Sequence, residues 1–373
     1  MSTVHCKRVR QENSIRAIIV RHVIRRGRVT KAEIEDGLGL SHPTVTNAIA
    51  ALISEGVLRE NGEYESTGGR RAKAISAMPT YCHFGGVDIT ANHVAFVVVN
   101  WAGELVARER KRFRFEDSRA YCAALEKAFE RFLRQNDIRQ DQVRSVGFSL
   151  PGILSSDRRT LVRSHALKVE NLDLSGLASH FSRFAVDFEN DANAADIAEC
   201  AALQGNSVFL SLSNTVGGAI SFGPQMFLGD SRRAGEFGHM VLHPGGRKCY
   251  CGKRGCADAY LSALRLSEKA DGLEDFFLRL EAVEPSVVRV WSEYVANLAV
   301  MVSNLRMAFD CEVVVGGYVG NLMESRLAEL RRRVSALDLF QDGADYVRLA
   351  RCGRESAAIG MALRLREAAI ASV

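Results

Sequence analysis

Residues 235–260 read GEFGHMVLHPGGRKCYCGKRGCADAY: His239, then Cys249, Cys251 and Cys256 in a Cys-x-Cys-x4-Cys run, with glycines at 252 and 255. Three thiolates and one imidazole within 18 residues are the donors of a closed tetrahedral zinc site, and the glycines allow a loop to fold around the ion. A closed set leaves no position for activated water, so the zinc expected here is structural. His243 competes with His239 for the nitrogen position. The chain has nine cysteines, and crowding three of them into one loop favours a metal over a disulfide framework.

Around this loop the composition is that of a soluble globular protein: 373 residues, 47% hydrophobic and 25% charged, room for two or three domains. Apolar runs are short, as at residues 94–99, and none approaches the roughly 20 residues of a membrane helix. The first residues, MSTVHCKRVRQE, are basic with no apolar segment behind them, so no secretory signal is expected and the cytoplasm is the expected compartment. The net charge of +5 sits wholly in residues 1–78, which carry thirteen Lys/Arg against eight Asp/Glu, while the remainder carries thirty-six of each. A basic head on a neutral body suits nucleic-acid binding, and equally a solvated helix face.

The pattern within that head favours DNA. Ile15, Ile18, Ile19, Val23 and Ile24 recur at helical spacing up to Gly27, and Thr30 with Glu33 forms a capping box for a short second helix closing around Gly37 or Gly39. A third helix follows Ser41, a good N-cap, with Pro43 in its first turn and Val45, Ile49, Leu52 and Ile53 as its apolar face. Its polar face places Ser41, His42, Thr44, Thr46 and Asn47 toward base edges and phosphates. Two helices across a glycine turn describe a helix-turn-helix. Residues 57–59 and 72–75 read as strands of a wing, whose Gly68-Gly69-Arg70-Arg71 tip suits a narrow minor groove. The alternative for residues 1–78 is a small helical packing or dimerisation domain.

From residue 79 to 373 the chain alternates strand and helix. Strands are expected at 87–89 and 94–99, turning at Ala91-Asn92, and at 143–149, ending at Pro151-Gly152. Helices are expected at 117–136 and 194–202. A second half repeats the logic, with strands at 208–212, 219–222 and 312–315 and a long helix at 286–309. Two α/β halves suggest two lobes around a cleft. No internal repeat appears.

Taken together, the zinc loop, NDANAADIAE at 190–199, Pro151-Gly152, VVVGGYVG at 313–320 and the winged head resemble the ROK family of repressors, open reading frames and sugar kinases. The resemblance spans nearly the whole chain and implies the two-lobed, actin-like ATPase fold of sugar kinases. It implies that Asn190, Asp191, Glu236 and His239 contact sugar hydroxyls, helped by Gly152 and by a carboxylate two residues after the last cysteine, here Asp258 in place of the usual Glu. Carboxylates and an amide read vicinal hydroxyls, and a site built this way rejects molecules lacking them. His239 is expected to bind zinc through one ring nitrogen and a hydroxyl through the other. The other reading of Asn190-Asp191 is a helix cap.

Kinases of the family need two phosphate turns. The first resembles Asp-x-Gly-Gly-Thr, and here the aligned residues are Asp88-Ile89-Thr90-Ala91-Asn92. The second resembles Gly-Thr-Gly-x-Gly, and here it is Ser213-Asn214-Thr215-Val216-Gly217. Side chains now stand where backbone amides approach phosphate, although Asp191, the position of the kinase base, is kept. The expectation is a transcriptional regulator, a repressor, that binds a double-stranded DNA operator and senses a sugar or sugar derivative. It is expected as a homodimer or dimer of dimers, since one head of about 65 residues presents too little surface for specific affinity. An active sugar kinase with a DNA-binding head is the first alternative. A regulator whose body binds a protein partner is the second.

Overall fold

The computed structural model describes residues 14–63, 73–200, 203, 205–340 and 343–373; Arg70 and Arg71 lie outside them. The head forms as its caps dictate. Helix Ile15–Arg26 starts where the Ser14 side chain accepts from the Ala17 amide and stops at Gly27, whose φ is 76°. Helix Lys31–Leu38 carries the full Thr30–Glu33 capping box and ends at left-handed Gly39. Helix His42–Ser54 has Pro43 in its first turn and Ser41 in the extended N-cap position, but the Ser41 side chain bonds none of the helix amides. The Ser41 hydroxyl instead meets the Thr44 hydroxyl at 2.8 Å, so the cap is one of backbone position and not of a side-chain bond. Strands β1 (Leu58–Glu63) and β2 (Lys73–Ala77) pair antiparallel as the wing, and Val29 bridges to Ile75.

The body has two lobes. In the first, β3 (His83–Ile89), β4 (His93–Asn100) and β5 (Leu105–Arg112) form an antiparallel meander. β6 (Val143–Leu150) joins β3 in parallel, a small antiparallel sheet follows in β7 (Ile153–Leu154), β8 (Thr160–Ser164) and β9 (Val169–Asp173), and β10 (Ala185–Asn190) pairs in parallel with β6. In the second lobe β11 (Ser207–Leu212), β12 (Val216–Phe222) and β13 (Gln225–Met226) form the meander, and β14 (Glu312–Gly316) and β15 (Val347–Leu349) extend it in parallel. The orders 10-6-3-4-5 and 13-12-11-14-15 are therefore the same topology used twice. No sequence repeat marks this, because strand order depends on which faces are apolar and not on which apolar residues supply them.

Each expected strand and helix forms, with ends moved by a few residues. The helix expected at 194–202 begins earlier, as Asp191–Cys200, and so starts inside the cleft. The C-terminal helix Ser356–Ala371 packs along it and buries Ala357, Ala358, Met361 and Ala362. Head and body share one apolar cluster: Ile19, Val20 and Val23 of the first helix join Phe84, Trp101, Ala369 and Ile370. Each Val, Ile or Phe among them contributes roughly 1.5–3 kcal/mol by leaving water.

Candidate functional site

Between the lobes lies a cavity of about 620 Å³ lined by Gly152, Asn190, Asp191, Glu236 and His239, five of the six expected residues, together with Glu189, Arg232, Arg233 and Tyr250. Asn190 serves both readings made of it. Its Oδ1 accepts from the amides of Ala192 at 2.8 Å and Asn193 at 3.1 Å, so it caps the cleft helix. Its Nδ2 donates to the Gly152 carbonyl at 2.8 Å, leaving one amide hydrogen for a ligand. Asp191 accepts from the Ala192 amide at 2.9 Å through one oxygen. Desolvation in the cleft pushes its carboxyl up to about 6, with Glu236 adding repulsion. Burial raises Glu236 as well, opposed by the Arg233 guanidinium.

Asp258 is the correction within this set. It is 6% exposed, is not among the residues lining the cavity, and accepts from the Val216 amide at 2.7 Å. The aspartate side chain ends at that amide, where it fixes the start of β12; burial lowers the His239 pKa, and the Asp258 charge opposes that only in part.

The four expected ligand atoms of His239, Cys249, Cys251 and Cys256 lie within 4.8 Å of one another. Cys249 Sγ is 3.9 Å from His239 Nδ1, and Cys251 Sγ is 3.8 Å from Cys256 Sγ. A tetrahedron with bonds of ~2.3 Å has edges of roughly 3.8 Å, so the donor set fits zinc. Gly255 is required in this loop: its φ is 82°, and a Cβ there would stand 1.8 Å from the His243 carbonyl. His243 stands outside this cluster of donor atoms, and its Nε2 meets Asn297 Oδ1 instead. With Nδ1 toward the thiols, His239 Nε2 faces Tyr250 Oη at 3.3 Å and Glu236 at 4.0 Å, on the cleft side.

The turn between β3 and β4 is held by its own side chain. Thr90 Oγ1 donates to the His93 carbonyl at 3.0 Å and accepts its amide at 3.1 Å, sealing the hairpin on itself. Arg110 on β5 crosses to the second lobe, donating to Tyr318 Oη at 3.3 Å with its guanidinium 5.6 Å from the ring centre. Asp88, buried and accepting from Ser149 Oγ at 2.7 Å, has its carboxyl pushed up to about 7 by desolvation.

On the third helix of the head, His42 and Asn47 are exposed and Thr44 half-exposed, with His42 Nδ1 held by Glu35 at 2.8 Å. Thr46 departs from expectation. Its hydroxyl is shielded from solvent without a partner among the described residues, because Thr46 falls between the outer face and the buried stripe of Val45 and Ile49. The sequence reading also missed Arg110, Tyr318, Glu189, Arg232 and Arg364, none of which sits in a spacing pattern.

The ROK family profile matches residues 84–368. The chain belongs to the ROK family. It is 22% identical over 358 residues to the xylose repressor of Bacillus subtilis, covering 92% of each chain. Among solved structures, a ROK family transcriptional regulator, a homolog of the E. coli MLC protein, superposes with a TM-score of 0.78 at 18% identity over 98% of this chain and 97% of that one. A ROK hexokinase from Thermus thermophilus gives 0.60 at 27% identity, covering 75% of this chain and 97% of its own. ROK folds of both kinds thus share this two-lobed body, and the hexokinase leaves a quarter of the present chain unmatched.

Proposed function

We infer that this ROK protein is a DNA-binding transcriptional regulator, a repressor, in which residues 1–78 read an operator and residues 79–373 sense a sugar or sugar derivative. The observation that carries it is one chain holding paired helices across a glycine turn in its head and a cleft lined by carboxylates, an amide and an imidazole in its body. In the cleft, Asp191 and Glu236 accept from vicinal hydroxyls, His239 Nε2 and the spare Asn190 hydrogen donate or accept beside them, and Gly152 shapes the floor. A ligand lacking hydroxyls leaves these groups unpaired, which is the source of selectivity. Zinc held by His239, Cys249, Cys251 and Cys256 supplies loop order and fixes the imidazole orientation. Kinase activity is not part of this reading: Thr90, Ala91, Ser213 and Thr215 replace glycines of the two phosphate turns, so Cβ atoms stand where backbone amides must approach a transferring phosphoryl group. His42, Thr44 and Asn47 are the base-reading set, and the guanidiniums of Arg70 and Arg71 add contacts to the DNA. Two copies pair their heads on a two-fold operator in the cytoplasm.

Selection from random duplex DNA by the whole chain, followed by thermal shift against pentoses, hexoses, amino sugars and their phosphates, tests this reading. One compound should raise the melting temperature and change affinity for the selected site; ligand at 100 times its Kd adds about 2.7 kcal/mol. Enrichment of no sequence overturns the regulator, and ATP-dependent consumption of the sugar establishes the kinase.

A further inference from the structure

A buried carboxylate shared by two guanidiniums connects the cleft to the helix that seats the head. Glu189, 1% exposed, directly precedes Asn190 and Asp191. Arg232 Nη2 lies 3.1 Å from both of its oxygens, and Arg364 Nη1 donates to it at 2.9 Å. Arg364 Nε also donates to Asp187 at 3.0 Å. Arg232 comes from the second lobe, four residues before Glu236, and holds a φ of 54°, which a non-glycine residue keeps where its surroundings enforce it. Arg364 comes from the C-terminal helix, whose far end lies against the head. There Glu367 pairs with Arg21, and Ser14 Oγ donates to the Val373 carbonyl at 3.4 Å. Residues 364 and 367 are three residues apart, about one helical turn, so both ion pairs sit on neighbouring positions of one face.

We propose that Glu189 and Arg364 are positioning residues for the effector response, carrying movement of the Arg232–Glu236 loop to the head through Glu367 and Arg21. This rests on the sugar-sensing reading above and names its regulation. A ligand that draws Glu236 and Asp191 onto its hydroxyls moves the loop bearing Arg232. A buried carboxylate is not left without its cation, so Glu189 shifts its balance between Arg232 and Arg364. Close packing makes the C-terminal helix follow as a body, and the head seated on it turns.

Hydrogen exchange on the full chain tests the route without sugar or operator, so its failure is separate from failure of the regulator reading. Arg232→Ala, which releases the loop from Glu189, should change exchange in residues 15–26 by about fivefold. In a Glu367→Arg background the same substitution should leave residues 15–26 unchanged, and adding Arg21→Glu should restore the response. Residues 285–309 serve as the internal control; if they accelerate equally, Arg232→Lys, which keeps the charge without the fork, carries the comparison. An unchanged head in the Arg232 variant, or an equal change with and without the Glu367–Arg21 pair, overturns the proposal.

Discussion

Gly360 lies directly against the carbonyl of Ala194: a Cβ on Gly360 would stand 1.6 Å from that oxygen and 3.3 Å from the Ala198 amide. The C-terminal helix and the cleft helix therefore touch backbone to backbone. Nothing there is a flexible side-chain end that yields. Gly360→Ala should destabilise the body by about 3 kcal/mol or more, the upper end for overpacking, despite the helix propensity it gains. Chemical denaturation should show a lowered midpoint with an unchanged slope.

Purified protein never exposed to chelator should contain about one zinc per chain by elemental analysis. Cys251→Ser should lose the metal and destabilise the body, because structural zinc binding is folding free energy. Metal content near zero in well-folded protein removes zinc from this loop.

Thr46 and Asn47 are adjacent yet should behave differently. Asn47→Ala should cost roughly 1–3 kcal/mol on the selected operator and far less on random DNA. Thr46→Val keeps the shape and removes a shielded, unpartnered hydroxyl, so it should leave operator affinity unchanged and hold or raise stability. Competition binding on both DNAs, with melting curves, checks the pair.

Asp191→Asn should weaken the sugar effector by roughly 1.5–3 kcal/mol while operator affinity without effector barely changes. The pH dependence has a fixed sign. Its carboxyl is raised in the fold to about 6 from an ordinary 3.8, so the folded state binds the proton more tightly than the unfolded one. Stability is then lost as pH rises between those values, and Asp191→Asn should stabilise the fold by about 1–2 kcal/mol at pH 7.5 and by little at pH 3.5. Effector binding by the native chain should instead strengthen as pH rises through about 6. Equal pH profiles for native and substituted protein would show that Asp191 does not govern either effect.

A coupled assay with ATP and the sugars of the panel should give turnover far below the roughly 1–100 s⁻¹ of kinases. Tyr318→Ala, which removes the partner of Arg110, should leave that rate unchanged, since it does not restore the glycines of the phosphate turns.

Local spacing made much of this protein legible before its fold. The capping pair Thr30 and Glu33 acts across three positions, and the clustered His and Cys donors lie close together in sequence, so sequence distance and spatial distance agree. The cleft residues were legible through resemblance, residue by residue, and five of the six expected there line one cavity. Ser41, Thr46 and Asp258 show where this stops. Their types and positions suit the roles expected, but rotation about one or two side-chain bonds decides which neighbour each polar atom meets.

What only the tertiary structure decided is carried by residues far apart in the chain. Arg364 meets Glu189 across 175 positions, Arg110 meets Tyr318 across 208, and Arg21 meets Glu367 across 346. No periodicity records such pairs. A charged side chain satisfies the same hydrophobic pattern whether it faces water or a buried partner, so the sequence determined the elements, their caps and the metal loop. Packing of the two lobes alone determined that the cleft, the C-terminal helix and the head share one connected set of contacts.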